Sequence, residues 1–110
     1  MKKNVFISTT IPYVNGAPHI GFALEAIQAD SLNRWYKLKG YDTFLSAGTD
    51  ENAIKNVETA EKMKITTQEL VDQLSERYFA LRDLVNFSYD RFIRTTEEKH
   101  KKGSQKLWKL

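Results

Sequence analysis

The chain has 110 residues and no cysteine, 41% of its residues are hydrophobic, and 17 Lys and Arg against 14 Asp and Glu give a formal net charge of +3. This length suits one domain, and the composition excludes a collagen, a coiled coil and a disordered tail. The missing cysteines exclude a disulfide framework and a thiolate metal site. No signal sequence or membrane span is expected, so a cytoplasmic location is the default.

The first part of the chain predicts a strand, a long helix and a second strand. Residues 4–9 begin with the apolar run Val5, Phe6 and Ile7, which is typical of a buried strand. A turn-rich loop with both prolines follows, and Gly40 marks the end of the next helix. That helix should bury the stripe Leu24, Ile27, Ser31, Trp35 and Leu38. Residues 43–47 form the second strand, which must run parallel to the first.

A helical stretch is predicted after the second strand. Residues 51–64 are helix-prone, although their apolar pattern is weak. Thr66 and Glu69 then have the spacing of a capping box. The helix that they begin has its predicted core positions at Leu70, Leu74, Tyr78, Leu81 and Val85.

The last part of the chain is predicted to be a connector and a basic helix. Residues 86–94 form the connector, and Thr95 with Glu98 would form a second capping box. Residues 1–96 carry twelve basic and twelve acidic side chains, so the whole net charge belongs to the last fourteen residues. Such a run can contact nucleic acid, but a solvated helix face is the commoner meaning and is the interpretation adopted.

The predicted fold class is α/β with parallel strands. In such a sheet ligands bind beyond the carboxyl ends of the strands, which selects the loops at residues 10–21 and 48–53. The first loop leads to a helix N-terminus, where His19 and Gly21 could meet a phosphate. Neither the dinucleotide fingerprint GxGxxG nor the phosphate loop GxxxxGK[ST] is present, so a bound nucleotide would need a different loop.

Two adjacent carboxylates, Asp50 and Glu51, follow the second strand. Neighbouring residues there point in different directions, so an acid/base dyad is not expected. Asp50 could bind a substrate ammonium in the crevice or could cap the next helix, and these alternatives have about even weight. His19 has a similar alternative as a surface or capping residue, and His100 is expected to face solvent.

The string IPYVNGAPHIGF at residues 11–22 resembles the first signature of the class I aminoacyl-tRNA synthetases and, among them, of the methionyl-tRNA synthetases. The resemblance continues through QAD at 28–30, KGYD at 39–42, GTDE at 48–51, SYD at 88–90 and RTT at 94–96. It implies an incomplete domain. Residues 1–64 would be the first βαβ half of a Rossmann-like nucleotide-binding fold, and residues 65–110 a helical continuation toward an insertion domain.

The resemblance also implies an activity, in which methionine and ATP with Mg²⁺ form methionyl-adenylate and the aminoacyl group then passes to tRNA. Ile11, Tyr13 and Asp50 would bind methionine. The residues implied on the ATP side are Pro12, His19, Gly21 and Phe22, with catalytic roles for His19 and the position of Phe22. Contacts with tRNA would lie mostly outside this segment, and no zinc site is expected within it.

The chain departs from the family pattern at several positions. Phe22 replaces the last histidine of the signature, and losing one such donor commonly costs about a hundredfold in rate. Asn52 and Ala53 stand where many members have His and Gly, and the lysine-rich Lys-Met-Ser-Lys-Ser loop is absent. Two alternatives therefore stay open: a truncated, non-catalytic paralogue that serves as a binding module, and a class I synthetase for leucine, isoleucine or valine.

Overall fold

The computed structural model describes residues 3–110, which form a three-stranded parallel sheet and four helices. In chain order the elements are β1 (Asn4–Ser8), α1 (Ile20–Leu38), β2 (Asp42–Thr49), α2 (Ile54–Met63), α3 (Thr67–Leu84), β3 (Arg91–Arg94) and α4 (Glu98–Trp108). The strands have the order β1, β2, β3. The predicted βαβ unit with parallel strands is therefore confirmed, and it forms the first two strands of a wider sheet.

The third strand, β3, corrects the prediction of a plain connector at residues 86–94. It pairs in parallel with the end of β2, with Phe92 opposite Ala47 and Ile93 opposite Gly48. Only four residues long and with an arginine at each end, it lacks the apolar run that marks a buried strand. Its single fully buried side chain, Phe92, packs against Phe79 of α3 with the ring centroids 4.4 Å apart.

The two faces of the sheet are covered unequally. Alternate strand residues such as Ile7, Leu45 and Phe92 join the core together with α1, α2 and α3. The opposite face carries Phe6 and Phe44, which are paired in register and stacked with centroids 6.0 Å apart. Phe6 is nevertheless 69% exposed. This half-covered sheet fits the prediction of an incomplete domain.

Helix α1 buries a different face from the predicted one, so that prediction is wrong. Its buried residues are Phe22, Ala26, Asp30 and Asn33, whereas the predicted stripe is exposed along its whole length. The apolar stripe therefore lies on the surface and the sheet is covered by a mixed face. The predicted end of the helix is confirmed, because Gly40 follows the cap residue with a φ of +82°.

Asp30 can be buried in α1 because its charge has partners. Arg34 donates to it from one turn later, and the backbone N–H of Ser88 donates at 2.8 Å. Arg34 also donates to the carbonyl oxygen of Asn86 at 2.8 Å. Burial opposes ionisation, but these hydrogen bonds outweigh it and hold the pKa of Asp30 below its usual range. Together, these hydrogen bonds of Asp30 and Arg34 connect α1 to the segment that leads into β3.

The two predicted capping boxes have different outcomes. At α3 the box is present, because Thr66 accepts from the Glu69 amide and the Glu69 carboxylate accepts from the Thr66 amide. At α4 the box is absent, since the cap residue is Glu97 and makes no side-chain cap bond. Thr95 instead accepts a hydrogen bond from the backbone N–H of Glu51 at 2.8 Å. Within residues 3–110, no helix is long and apolar enough to cross a bilayer.

Candidate functional site

The two loops selected by the parallel topology come together in the structure. Asp50 and Tyr13 form a single parallel bridge, and the Asp50 N–H donates to the Pro12 carbonyl oxygen at 2.8 Å. The start of the first loop is held by Glu25 of α1, which accepts from the Thr10 N–H at 2.6 Å and from the Thr10 hydroxyl at 2.7 Å. Val14 anchors the middle of that loop in the core. The loops therefore form one surface at the carboxyl ends of β1 and β2.

A cleft of about 530 Å³ opens beside this surface, within the usual size range of ligand sites. Ile11, Asp50 and Asn52 of the two loops line it. The remaining lining residues are Thr95, His100, Lys101, Ser104 and Gln105, most of them on α4. The lining thus includes the Asp50 carboxylate and the ammonium of Lys101, which lies 3.5 Å from the Glu98 carboxylate.

Asp50 faces this cleft and does not cap α2. The cap residue of that helix is Ala53, which forms no side-chain cap bond. The Asp50 carboxylate accepts the Asn52 N–H at 3.0 Å, a bond within the loop that leaves acceptor capacity on both oxygens. The capping alternative is therefore wrong, and the carboxylate is half-buried where an ammonium could reach it.

Glu51 turns the other way, as expected for adjacent residues, and its side chain is completely buried. Arg94 donates to it from Nε at 2.6 Å, and the Ser75 hydroxyl donates at 2.6 Å. Thr96 supplies a third donor. Burial alone would raise the pKa of Glu51, but the bonds from Arg94, Ser75 and Thr96 lower it below the usual value. Glu51 is therefore an ionised anchor, and it is not half of an acid/base dyad with Asp50.

His19 is the N-cap of α1, which is the capping alternative stated above. Its Nδ1 accepts the Gly21 N–H at 3.0 Å. In the neutral ring the proton then sits on Nε2, which leaves a donor on the exposed side of the ring. A Cβ at residue 21 would lie 2.8 Å from the His19 ring, so glycine lets the ring fold over the helix end. Tyr13, His19 and Gly21 are not among the residues that line the cleft.

Phe22 is placed in the core, where its ring is only 5% exposed. It packs edge-on against Tyr78 of α3, with the ring centroids 5.3 Å apart. This contact joins α1 to α3 directly behind the signature loop. A role for this position on the ATP side stays a prediction from the resemblance, and the observed contact is a packing contact.

Phe22→His tests the loss of a donor that the resemblance implies, in a full-length protein that carries these residues. If position 22 has the role that the resemblance implies, methionine-dependent exchange of pyrophosphate into ATP rises about a hundredfold, because a charge-stabilising donor would be present. The stability of the variant is expected to fall by about 1–3 kcal/mol, because a polar ring enters the core. Phe22→Leu is the matched control and should give no gain. An unchanged rate in the histidine variant would assign Phe22 to packing alone.

The structure adds α4 residues that sequence reasoning missed. His100 was expected to face solvent, but it is half-buried, lines the cleft, and lies 3.3 Å from the Ser104 hydroxyl. The spacing of His100, Lys101 and Ser104 indicates a shared polar helix face. The surrounding lysines instead favoured the interpretation of a solvated helix. In the described part of the chain, no three His, Cys, Asp or Glu side chains are grouped as ligands for a metal ion.

Comparison with known proteins agrees with the fold. The family described as tRNA synthetases class I (M) matches residues 5–110. Among curated relatives, the methionine–tRNA ligase of Brucella suis is 41% identical over 97% of this chain. That of Deinococcus radiodurans is 48% identical over 94% of this chain. A Mycobacterium tuberculosis methionyl-tRNA synthetase structure, in complex with methionyl-adenylate, has a TM-score of 0.94 and 36% identity over 97% of this chain.

These matches cover only part of each relative. The chain spans 21% of the Brucella suis ligase, 15% of the Deinococcus radiodurans ligase and 21% of the Mycobacterium tuberculosis chain. The similarity therefore concerns one segment of a larger enzyme, and the residues matched by the family, 5–110, include the signature loop and Asp50. The chain belongs to the methionine family of class I tRNA synthetases.

Proposed function

We propose that this chain supplies part of the methionine and ATP site of a methionine–tRNA ligase. Residues 1–64 would form the first half of the nucleotide-binding fold, and residues 65–110 its continuation. The observation that carries the proposal is the half-buried Asp50 carboxylate, held beside the signature loop and open to a cleft. In the whole enzyme, methionine and ATP would give methionyl-adenylate and pyrophosphate, and the methionyl group would then pass to tRNA.

In this reaction the residues position the charged groups of the substrates. The protein supplies no nucleophile, because the methionine carboxylate is itself the nucleophile. Asp50 would accept hydrogen bonds from the methionine ammonium and so set the direction of the carboxylate. Ile11 and Tyr13 are partly exposed on the same loop and would contact the thioether side chain. The carboxylate oxygen attacks the α-phosphorus of ATP, a new O–P bond forms, and the bond to the pyrophosphate leaving group breaks.

The ATP side of the proposal rests on the exposed end of α1. The Nε2–H of His19 would donate to a phosphate oxygen, next to the positive end of the helix dipole. Pro12 and Gly21 are the other residues that the resemblance assigns to the ATP side. Mg²⁺ would neutralise phosphate charge in such a reaction, and none of residues 3–110 is assigned to it.

The 110-residue chain by itself is expected to lack the exchange activity of a full-length ligase. The uncovered sheet face at Phe6 and Phe44, and the lack of the lysine-rich loop, leave the reacting groups without most of their surroundings. Methionine-dependent exchange of labelled pyrophosphate into ATP should be at least about a hundredfold below that of a full-length relative such as the Brucella suis ligase. Turnover by the chain close to that of the relative would contradict the proposal.

A non-catalytic binding module is the second candidate, and the buried packing of Phe22 favours it because the signature donor is replaced. Such a module would keep methionine binding at Asp50 without exchange. Exchange and binding measurements on a full-length protein with this segment distinguish the two candidates. A ligase exchanges pyrophosphate into ATP in the presence of methionine, whereas a module only binds the amino acid.

A further inference from the structure

Glu51 is a fully buried charge that the proposed chemistry does not use. Its carboxylate joins three parts of the fold, namely Ser75 on α3, Arg94 at the end of β3 and Thr96 just beyond. Arg94 holds both carboxylate oxygens, with Nε on one and a terminal nitrogen on the other at 3.2 Å. Such two-point contact restricts orientation more than a single bond does.

The backbone of Glu51 is held as firmly as its side chain. Its N–H donates to the Thr95 hydroxyl oxygen at 2.8 Å, and its carbonyl oxygen accepts from the Asn56 side chain at 3.0 Å. Every polar group of Glu51 therefore has a partner. The partners lie on β3, on α3 and on α2, so the residue has one position relative to the rest of the fold.

Asp50, by contrast, depends on its neighbours for its position. Among residues 3–110 its carboxylate accepts a hydrogen bond from the Asn52 N–H alone, and its backbone N–H donates to Pro12 of the first loop. We propose that Glu51 is a positioning residue: by anchoring the loop to α3 and β3, it holds the Asp50 carboxylate at the cleft in the orientation that receives the ammonium of an amino acid. This inference rests on the proposed function. It adds that the geometry of ammonium binding at Asp50 depends on Glu51.

Glu51→Gln is the direct test, because the amide keeps the shape of the side chain but its nitrogen cannot accept a bond from Arg94 or Thr96. Two ligands are titrated into the ¹⁵N-labelled chain by NMR: methionine, and 4-(methylthio)butanoate, which lacks the ammonium. The Kd for methionine is expected to rise about tenfold, whereas the Kd for the analogue should change less than about twofold. Exchange of the Asn52 amide with solvent should become about tenfold faster.

Asp72→Asn is the matched control. Asp72 also pairs with Arg94, but its carboxylate is half-exposed, and its other hydrogen-bond partner is Gln68 on the same helix. Methionine binding and Asn52 exchange should therefore stay as in the unaltered chain. If Glu51→Gln does not fold, as judged by circular dichroism, Arg94→Lys replaces it, because lysine keeps the charge without the two-point contact.

These experiments distinguish failure of the Glu51 inference from failure of the proposed function. Equal weakening of both ligands would show a merely structural role for Glu51 and overturn the inference, as would unchanged methionine binding and unchanged exchange. If the unaltered chain does not prefer methionine over the analogue, the proposed function fails. The exchange rate of Asn52 then still decides whether Glu51 anchors the loop.

Discussion

Asp50→Asn is expected to raise the Kd for methionine by about 10- to 100-fold. A hydrogen bond to a charged group contributes about 1.5–3 kcal/mol, and each 1.4 kcal/mol corresponds to a factor of ten. The substitution removes the negative charge that faces the cleft and keeps the size of the side chain. The asparagine oxygen can still accept the Asn52 N–H, and the backbone bond to Pro12 is unaffected, so the loop should keep its shape.

The control for this variant is Asp83→Asn, which removes the same charge from an exposed position on α3. Methionine binding should not change in the control, and thermal unfolding of both variants should match that of the unaltered chain. Equal methionine affinity in Asp50→Asn and in the unaltered chain would remove Asp50 from the proposed site. NMR titration suits this comparison because it detects millimolar binding.

Gly48→Ala is expected to cause the largest loss of stability. A Cβ at this position would lie 2.3 Å from the carbonyl oxygen of Ile93, the residue opposite Gly48 in the sheet, and 3.2 Å from the Ile11 side chain. A backbone carbonyl cannot move aside as a side chain can, so β2 and β3 would have to separate. The cost should reach or exceed the upper end of the usual range of about 1–3 kcal/mol for overpacking.

The expected fall in Tm for Gly48→Ala is roughly 10–20 °C, measured by circular dichroism. Gly103→Ala provides the contrast, because a Cβ there meets nothing within 4 Å on the exposed face of α4. That variant should be neutral or more stable by up to about 1 kcal/mol, from better helix propensity. A Tm for Gly48→Ala equal to that of the unaltered chain would mean that β3 does not pair at this position.

The parallel βαβ unit and the capping box of α3 could be predicted because each depends on local pattern. A strand followed by a long helix and another strand leaves few alternatives for the pairing, and Thr66 with Glu69 needs no distant contact. The meeting of the two site loops also followed from topology alone, because the carboxyl ends of parallel strands lie at one edge.

The buried face of α1 could not be predicted from hydrophobicity. Leu24 and Trp35 are strongly hydrophobic, yet α1 buries the face that carries the charged Asp30. The decisive contact is distant, since Ser88 donates to Asp30 from 58 residues away. A polar residue with a tertiary partner is buried at little net cost, and periodicity carries no information about such a partner.

The candidate site shows the same limit. Asp50 was found from its position after β2, but the anchoring of its neighbour required Arg94 and Thr96, which are 43 and 45 residues further along the chain. The sequence presents GTDE and RTT as two separate motifs, and the structure brings them into direct contact. His100 was missed for a related reason, because the cleft that it lines is completed by Asp50, which is 50 residues earlier in the chain.

The most direct test of the central claim is an NMR titration of the ¹⁵N-labelled chain with methionine, compared with leucine, isoleucine and valine. The account predicts saturable shifts of the Ile11, Tyr13, Asp50 and Asn52 amides with methionine, and weaker binding of the three other amino acids. Tight binding of leucine, isoleucine or valine at these residues would contradict it. No change at these amides with methionine, or changes confined to another surface, would contradict it equally.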